Sequence, residues 1–170
     1  GVPYDSDRGR AIAGAICSLM TGRAYRMSAL LAAVRGPFPG YAPNAMSMRE
    51  VMTMHLAAAE ALPAGHDDEE VVAAARESWA QALHLGDAHG YRNAQASVAA
   101  PTGTISIAMS CGTSGIEPDF GLVRFKTLIG GGMVRIASQA FIQGLRSLGY
   151  SADEVRDIEQ FVIGTMSLTG

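Results

Sequence analysis

Cysteine, positive charge and long apolar runs are all scarce in this chain, and each scarcity excludes something. Two cysteines in 170 residues, Cys17 and Cys111, are too few for a disulfide framework and do not form a Cys-x-x-Cys pair. A reducing, cytoplasmic setting is therefore expected. Acidic residues outnumber basic ones 16 to 13, for a net charge of −3. No cationic excess is available to neutralise a polynucleotide backbone, so general nucleic-acid binding is disfavoured, whereas a small phosphorylated ligand needs only local donors. The longest apolar candidate, Ala11 to Met20, falls well short of the roughly 18 to 20 residues that span a bilayer. Its position after Arg8 and Arg10 imitates a signal sequence, but Gly14 and Thr21-Gly22 read better as an amphipathic helix and its stop. Hydrophobic residues at 48% and charged residues at 17% exclude intrinsic disorder.

The familiar catalytic signatures are missing as well. His55, His66, His84 and His89 show neither His-x-x-x-His nor His-Glu-x-x-His spacing, which argues against zinc. There is no Walker A sequence, no G-x-G-x-x-G and no Gly-x-Ser-x-Gly elbow. Cys111 has no local basic partner and reads as a structural thiol. The run Asp67 to Glu70 suits the first turn of a helix, where its negative charge meets the dipole, better than a metal site.

What the chain does contain is mostly helical patterning. Asp5-Ser6-Asp7 offers N-cap oxygens ahead of Ile12, Ile16 and Leu19, with Thr21-Gly22 predicted to end that helix. A second helix follows through Leu30, Leu31 and Val34, ending before Gly36-Pro37 and a loop that runs to Pro43. Ser47-Met48-Arg49-Glu50 has the form of a capping box, with Val51, His55, Ala59 and Leu62 sharing a face behind it. Val72, Ala75, Trp79 and Leu83 supply the buried stripe of a fourth helix. After His89 the texture changes. Ala94 to Val98 reads as a short extended piece, and Leu122, Val123 and Phe125 mark a possible strand. Gly130-Gly131-Gly132 punctuates the chain before a predicted helix carrying Met133, Ile136, Ala140, Ile142 and Leu145. A second capping box, Ser151-Ala152-Asp153-Glu154, opens a last helix that buries Val155, Ile158, Phe161 and Val162. The segment is thus mainly helical, with a few short strands that need partners from elsewhere.

One stretch has a physical case for binding a ligand. In Pro101-Thr102-Gly103-Thr104-Ile105-Ser106, proline fixes a turn and Gly103 lets backbone N–H groups approach a ligand unobstructed. Thr102, Thr104 and Ser106 add hydroxyls, and a helix beginning nearby would add unsatisfied amides. Such a turn holds an anion without lysine. The same residues also describe an ordinary Pro-Thr-Gly turn capping a helix.

The ordered set of motifs resembles a family. Gly1 to Asp7 with Gly9-Arg10-Ala11, Leu19-Met20-Thr21-Gly22, Ala24-Tyr25 and Gly36-Pro37-Phe38-Pro39-Gly40-Tyr41 are similar to the adenosylcobalamin-dependent, class II ribonucleotide reductases. Arg92-Asn93-Ala94-Gln95, Ala100 to Ser106, Gly115-Ile116-Glu117-Pro118-Asp119-Phe120, the triple glycine and Gly164 to Gly170 continue the likeness in the same order. The resemblance implies an α/β fold, a ten-stranded barrel of which residues 1–170 form one segment incomplete at both ends. It implies an enzyme that reduces ribonucleotides, here diphosphates, to 2′-deoxyribonucleotides. In that family cobalt–carbon homolysis generates a radical that passes to a finger-loop cysteine, the thiyl abstracts the ribose 3′-hydrogen, and a cysteine pair supplies electrons from a thioredoxin-type reductant. Pro101 to Ile105, with Ser106 adjoining, would hold the substrate phosphates.

The departures bear on what this segment does alone. The finger-loop motif Asn-x-Cys-x-Glu and a tail cysteine pair are both missing, so no residue here takes a radical, acid/base or reductant role and the isolated chain is expected to be inactive. Gly112 stands where the family often has aspartate, and Glu117 reads as a buried-turn carboxylate with a structural role. Cobalamin contacts are not assignable to particular residues. Two alternatives stay open at this point: a class I catalytic-subunit segment, which shares the Pro-Thr-x-Thr and Gly-Ile-Glu-Pro pieces, and a non-catalytic helical assembly module derived from the barrel.

Overall fold

A computed structural model describes residues 2–63, 65, 68–109, 111–119, 121–127 and 130–165. Two compact units divide the chain, one spanning residues 2–98 and the other residues 99–170.

The first unit is built from three helices. Helix α1 (Asp7–Arg35) opens on Ser6, whose side chain accepts from the Gly9 amide at 3.0 Å. It runs straight through Thr21-Gly22 rather than stopping there. The reason is packing: a Cβ on Gly22 would lie 3.0 Å from Cδ1 of Trp79, so this glycine is a contact point and not a terminator. The expected stripe is also displaced. Ile16, Leu31 and Val34 are exposed, while Ala15, Gly22, Tyr25, Ala29 and Ala32 are buried. Those buried positions recur at seven-residue intervals (15, 22, 29 and 25, 32), the spacing that keeps one helix seam against a partner. Small side chains on that seam let the backbones come close.

Helix α2 (Tyr41–Glu60) begins six residues before the Ser47 box, which lies inside it. Pro43 is tolerated because it falls in the first turn, where its missing N–H has no intrahelical acceptor to lose. Its inward face is Met48, Met52, Leu56 and Ala59, with Met52 completely buried, and Val51 faces outward. Helix α3 (Glu69–His89) carries the stripe read from the sequence, with Val72, Ala75 and Trp79 buried and Leu83 packed against the core. Glu69 and Glu70 occupy its first turn as expected; Asp67 lies outside the described residues.

Contacts fix the directions of these helices. Arg76 donates to the carbonyls of Ala59 and Leu62 at 3.3 and 2.9 Å, closing the end of α2, while Arg49 pairs with Asp87 at 2.9 Å. Hence α2 runs antiparallel to α3. At the centre sit Trp79 and Tyr91, the two largest fully buried side chains, each worth about 3–5 kcal/mol if truncated to alanine. Neither polar group is stranded: Trp79 Nε1 donates to Ser18 Oγ at 3.1 Å, and the Tyr91 hydroxyl donates to the Ala82 carbonyl at 2.9 Å. His55 stacks on Trp79 with ring centroids 4.9 Å apart, and Tyr25 meets Tyr91 edge-on at 5.9 Å.

The second unit begins with the short helix α4 (Gly103–Ala108). Strands β1 (Val123–Thr127) and β2 (Met133–Ala137) pair antiparallel, Val123 opposite Ala137 and Thr127 opposite Met133. The strand expected at Leu122 to Phe125 is therefore present, but it pairs with residues 133–137, which were expected to be helical. Gly130, Gly131 and Gly132 all have positive φ, between +92° and +100°, so they return the chain within a hairpin connection and do not launch a helix. Helix α5 (Gln139–Ser147) starts only at Ser138, which caps it and buries Ile142 and Leu145. Helix α6 (Ala152–Thr165) has the expected reciprocal box: the Ser151 amide donates to Glu154 Oε2 at 2.8 Å, and the Glu154 amide to Ser151 Oγ at 3.3 Å. Val155 and Val162 are buried, whereas Phe161 is 45% exposed. The motif from Gly164 onward lies outside the described residues beyond residue 165.

Candidate functional site

The loop at residues 101–106 keeps its donors in two groups, one committed inward and one facing solvent. The Thr102 amide donates to the Ala100 carbonyl at 2.9 Å, which closes the bend that Pro101 begins. Ser106 is buried, and its hydroxyl donates to the Gly103 carbonyl at 2.7 Å. Ser106 therefore braces the loop from inside rather than offering its hydroxyl to a ligand. Helix α4 starts within the stretch, at Gly103, and the Cys111 amide closes its far end on the Ser106 carbonyl at 2.8 Å.

What remains outward is a compact donor set. Thr104 and Ile105 are exposed, Ile105 by 62%, and Thr102 is half-buried. As the first residues of a helix, Gly103, Thr104 and Ile105 have amides with no intrahelical acceptor. A Cβ placed on Gly103 would meet nothing within 4 Å, so the absence of a side chain there opens the loop outward and serves no internal contact. Six residues make too short a helix for its dipole to matter much, because that dipole is a sum over aligned peptide units. Any grip on an anion comes from the amides and the threonine hydroxyls themselves.

Other residues singled out in the sequence fall elsewhere. Glu117 is exposed, not buried: Gly115 turns the chain at φ +71°, and that sends Glu117 to solvent. Cys111 is exposed too, which removes the structural-thiol reading, while Cys17 is half-buried on α1. Residues 94–98 form no regular element. Arg92 and Asn93 are anchored on the first unit instead. The Asn93 amide donates to Ser28 Oγ at 2.8 Å, and the Arg92 guanidinium to the Pro37 carbonyl at 3.2 Å. Among the described residues no group of three or more His, Cys, Asp or Glu side chains is arranged to hold a metal ion. Nor is any helix of the described residues long and apolar enough to cross a membrane.

The sequence reading missed the supports of this loop. Gly115 lies against Ala100 and Pro101, and Ser138 donates to the Asp119 carboxylate. Neither contact has a local signature, since each joins residues at least fourteen positions apart in the chain. The sequence signal at hand is the run Thr113-Ser114-Gly115, whose composition suits a turn.

Comparison with known proteins adds the family context. Residues 1–167 match the family model described as ribonucleotide reductase, barrel domain. The chain is 48% identical over 179 residues to a vitamin B12-dependent ribonucleotide reductase of Agrobacterium fabrum, covering 96% of this chain and 14% of that protein. It is 53% identical over 163 residues to the Streptomyces clavuligerus protein of the same name (95% and 17%) and 46% identical over 172 residues to that of Rhodopirellula baltica (100% and 16%). The chain thus spans between 14% and 17% of the length of these relatives.

Proposed function

This chain belongs to the ribonucleotide reductase barrel-domain family, and from that premise we propose that it supplies the substrate phosphate-binding loop of a cobalamin-dependent ribonucleotide reductase. The intact enzyme converts ribonucleoside diphosphates to 2′-deoxyribonucleoside diphosphates in the cytoplasm. A thioredoxin-type protein renews its reducing thiols. Both units of this segment belong to one ten-stranded α/β barrel domain, completed by polypeptide outside residues 1–170. The relatives' shared designation as vitamin B12-dependent supports this reading over a class I catalytic subunit.

Within that enzyme the segment binds and orients. Thr102 and Thr104 donate hydroxyl hydrogens to phosphate oxygens, and the amides of Gly103, Thr104 and Ile105 add charge-assisted hydrogen bonds. The internal bonds of Thr102 and Ser106 hold these donors in place before the substrate arrives, which lowers the ordering entropy of binding. Anchoring the diphosphate at one end holds the substrate equally in the ground and transition states, so this grip acts on KM. The thiyl-bearing cysteine belongs to polypeptide outside this segment, because neither Cys17 nor Cys111 lies in an Asn-x-Cys-x-Glu sequence.

The cobalamin supplies radical initiation when bound. Among the described residues no histidine is placed to ligate its cobalt: His55 is stacked on Trp79, and His84 and His89 sit exposed on α3 with no convergent donor set.

The observation that carries the proposal is the outward-facing, side-chain-free opening at Gly103 between two threonines, inside a family-matched stretch. Its test is nucleoside diphosphate binding to the full-length reductase carrying Thr102→Val together with Thr104→Val. Losing two charge-assisted hydrogen bonds weakens affinity by about 2–4 kcal/mol, less where water substitutes. Unchanged affinity overturns the assignment.

A further inference from the structure

One carbonyl oxygen sets the entry to the bend that presents the phosphate-binding donors. Ala100 O accepts the Thr102 amide at 2.9 Å, and that bond sets the direction in which Thr102 and the start of α4 point. The same oxygen is the first atom a side chain at position 115 would meet: a Cβ there would lie 2.8 Å from Ala100 O and 3.4 Å from Pro101 Cα. Both neighbours are backbone atoms, so no side-chain rotation relieves the overlap. Gly115 also has φ +71°, a conformation that residues with a Cβ adopt reluctantly.

Nor is the segment bearing Gly115 free to retreat. Arg124 of β1 donates to the Gly112 carbonyl at 2.5 Å, and Thr113 Oγ1 donates to the Gly115 carbonyl at 3.2 Å. At the other end Ser138 donates to the Asp119 carboxylate. Ser138 is itself 2% exposed, held by its amide on the Leu122 carbonyl at 2.8 Å and accepting from the Phe141 amide as the cap of α5. The second oxygen of Asp119 is buried with no partner among the described residues. Residues 112–119 thus form a strap fastened to the hairpin on one side and to the cap of α5 on the other.

We propose that Gly115 and its Ser138–Asp119 tether are positioning residues for substrate phosphate binding: they aim the Ala100 carbonyl, and through it the donors of Thr102, Gly103 and Thr104. This rests on the reading of residues 101–106 as the phosphate loop. A methyl group at position 115 pushes the carbonyl away, weakens its bond to the Thr102 amide and swings the donors off the phosphate.

The experiment is steady-state kinetics of the full-length reductase with cytidine diphosphate, comparing Gly115→Ala, Gly115→Asn and Ser138→Ala with the Thr102→Val, Thr104→Val double variant. Asparagine tolerates positive φ but keeps the Cβ, so it isolates the steric contact. Ser138→Ala loosens the strap without adding bulk, and carries the test if a position-115 variant does not fold. The expected result is a KM raised about tenfold with kcat within about twofold, since binding common to ground and transition states is what has been lost. Ser138→Thr, which keeps the hydroxyl, restores the original KM. A merely structural role lowers the active fraction, so kcat falling at unchanged KM overturns the proposal. If the threonine double variant raises KM and the strap variants do not, the positioning role falls while the loop assignment stands. If the double variant leaves KM unchanged, the loop assignment falls and takes this proposal with it.

Discussion

Replacing Gly86 by alanine should destabilise the three-helix unit, although helix propensity alone predicts the opposite. Gly86 lies inside α3, where alanine is favoured over glycine by about 1 kcal/mol. The added Cβ, however, would collide with the ring and hydroxyl of Tyr91. That ring is 1% exposed, meets Tyr25 and Tyr41 edge-on at 5.9 and 6.3 Å, and donates to the Ala82 carbonyl. Shifting it forfeits a hydrogen bond of about 1 kcal/mol and overpacks a filled core, at about 1–3 kcal/mol. With the propensity gain set against these, the net loss is about 1–3 kcal/mol. Urea unfolding followed by the fluorescence of Trp79, the chain's one tryptophan, reads this directly because Trp79 belongs to the same core. The melting temperature should fall by roughly 4–8 °C per kcal/mol for a unit of this size. In a Tyr91→Ala background the collision is gone, and Gly86→Ala becomes stabilising. A neutral or stabilising effect with Tyr91 present would refute the packing argument.

Three further outcomes are expected. Burial raises the Tyr91 phenol above its ordinary value, so the folded chain holds that proton harder than the unfolded one. The resulting stability is whole below about pH 10 and declines above it. Tyr91→Phe should flatten the alkaline limb of a stability–pH curve at a cost of about 1 kcal/mol near neutrality, and an unaltered limb would count against the assignment. Hydrogen bonds from the Ser151 side chain and backbone lower the Glu154 carboxyl. The start of α6 is therefore firm above the ordinary carboxyl range and loosens as pH falls through the depressed value. An NMR titration of the Ser151 amide should report this, and a flat amide shift down to acid pH would contradict it. Finally, the 170-residue chain supplied with cytidine diphosphate, adenosylcobalamin and a dithiol should form no deoxynucleotide; product formation would show that Cys17 or Cys111 carries radical chemistry.

Where local signals and tertiary contacts agreed, the sequence was readable. The Val72-Ala75-Trp79 stripe and the Ser151–Glu154 box depend on residues within two turns of one another, and both are present as expected. Misreadings arose where a local rule met a longer-range contact. Gly22 follows threonine in a pattern typical of a helix stop, but its role is set by Trp79, fifty-seven positions away. Met133 to Ile136 has helical spacing over so few residues that a strand fits equally well, and the three glycines before it decide the matter through their backbone angles. Ser47 and Glu50 match a capping box by type alone; the true start of α2 is hidden because Pro43 looks like a loop residue. At the loop, the residue types were legible and their division of labour was not. Ser106 turns its hydroxyl inward while Gly103 stays open, a difference that the fold sets and residue type does not.

Helix α1 inverts the usual distribution of bulk. Apart from Tyr25 its inner seam is alanine, glycine and serine, while Ile16, Met20, Met27, Leu31 and Val34 point outward. Tolerance to substitution follows the same inversion. A conservative exchange such as Ala29→Val strikes where a single methyl already fills the gap, whereas replacing an outer methionine by a much larger side chain disturbs nothing within the unit. Drift along this helix should therefore be read by volume on one side and by chemistry on the other.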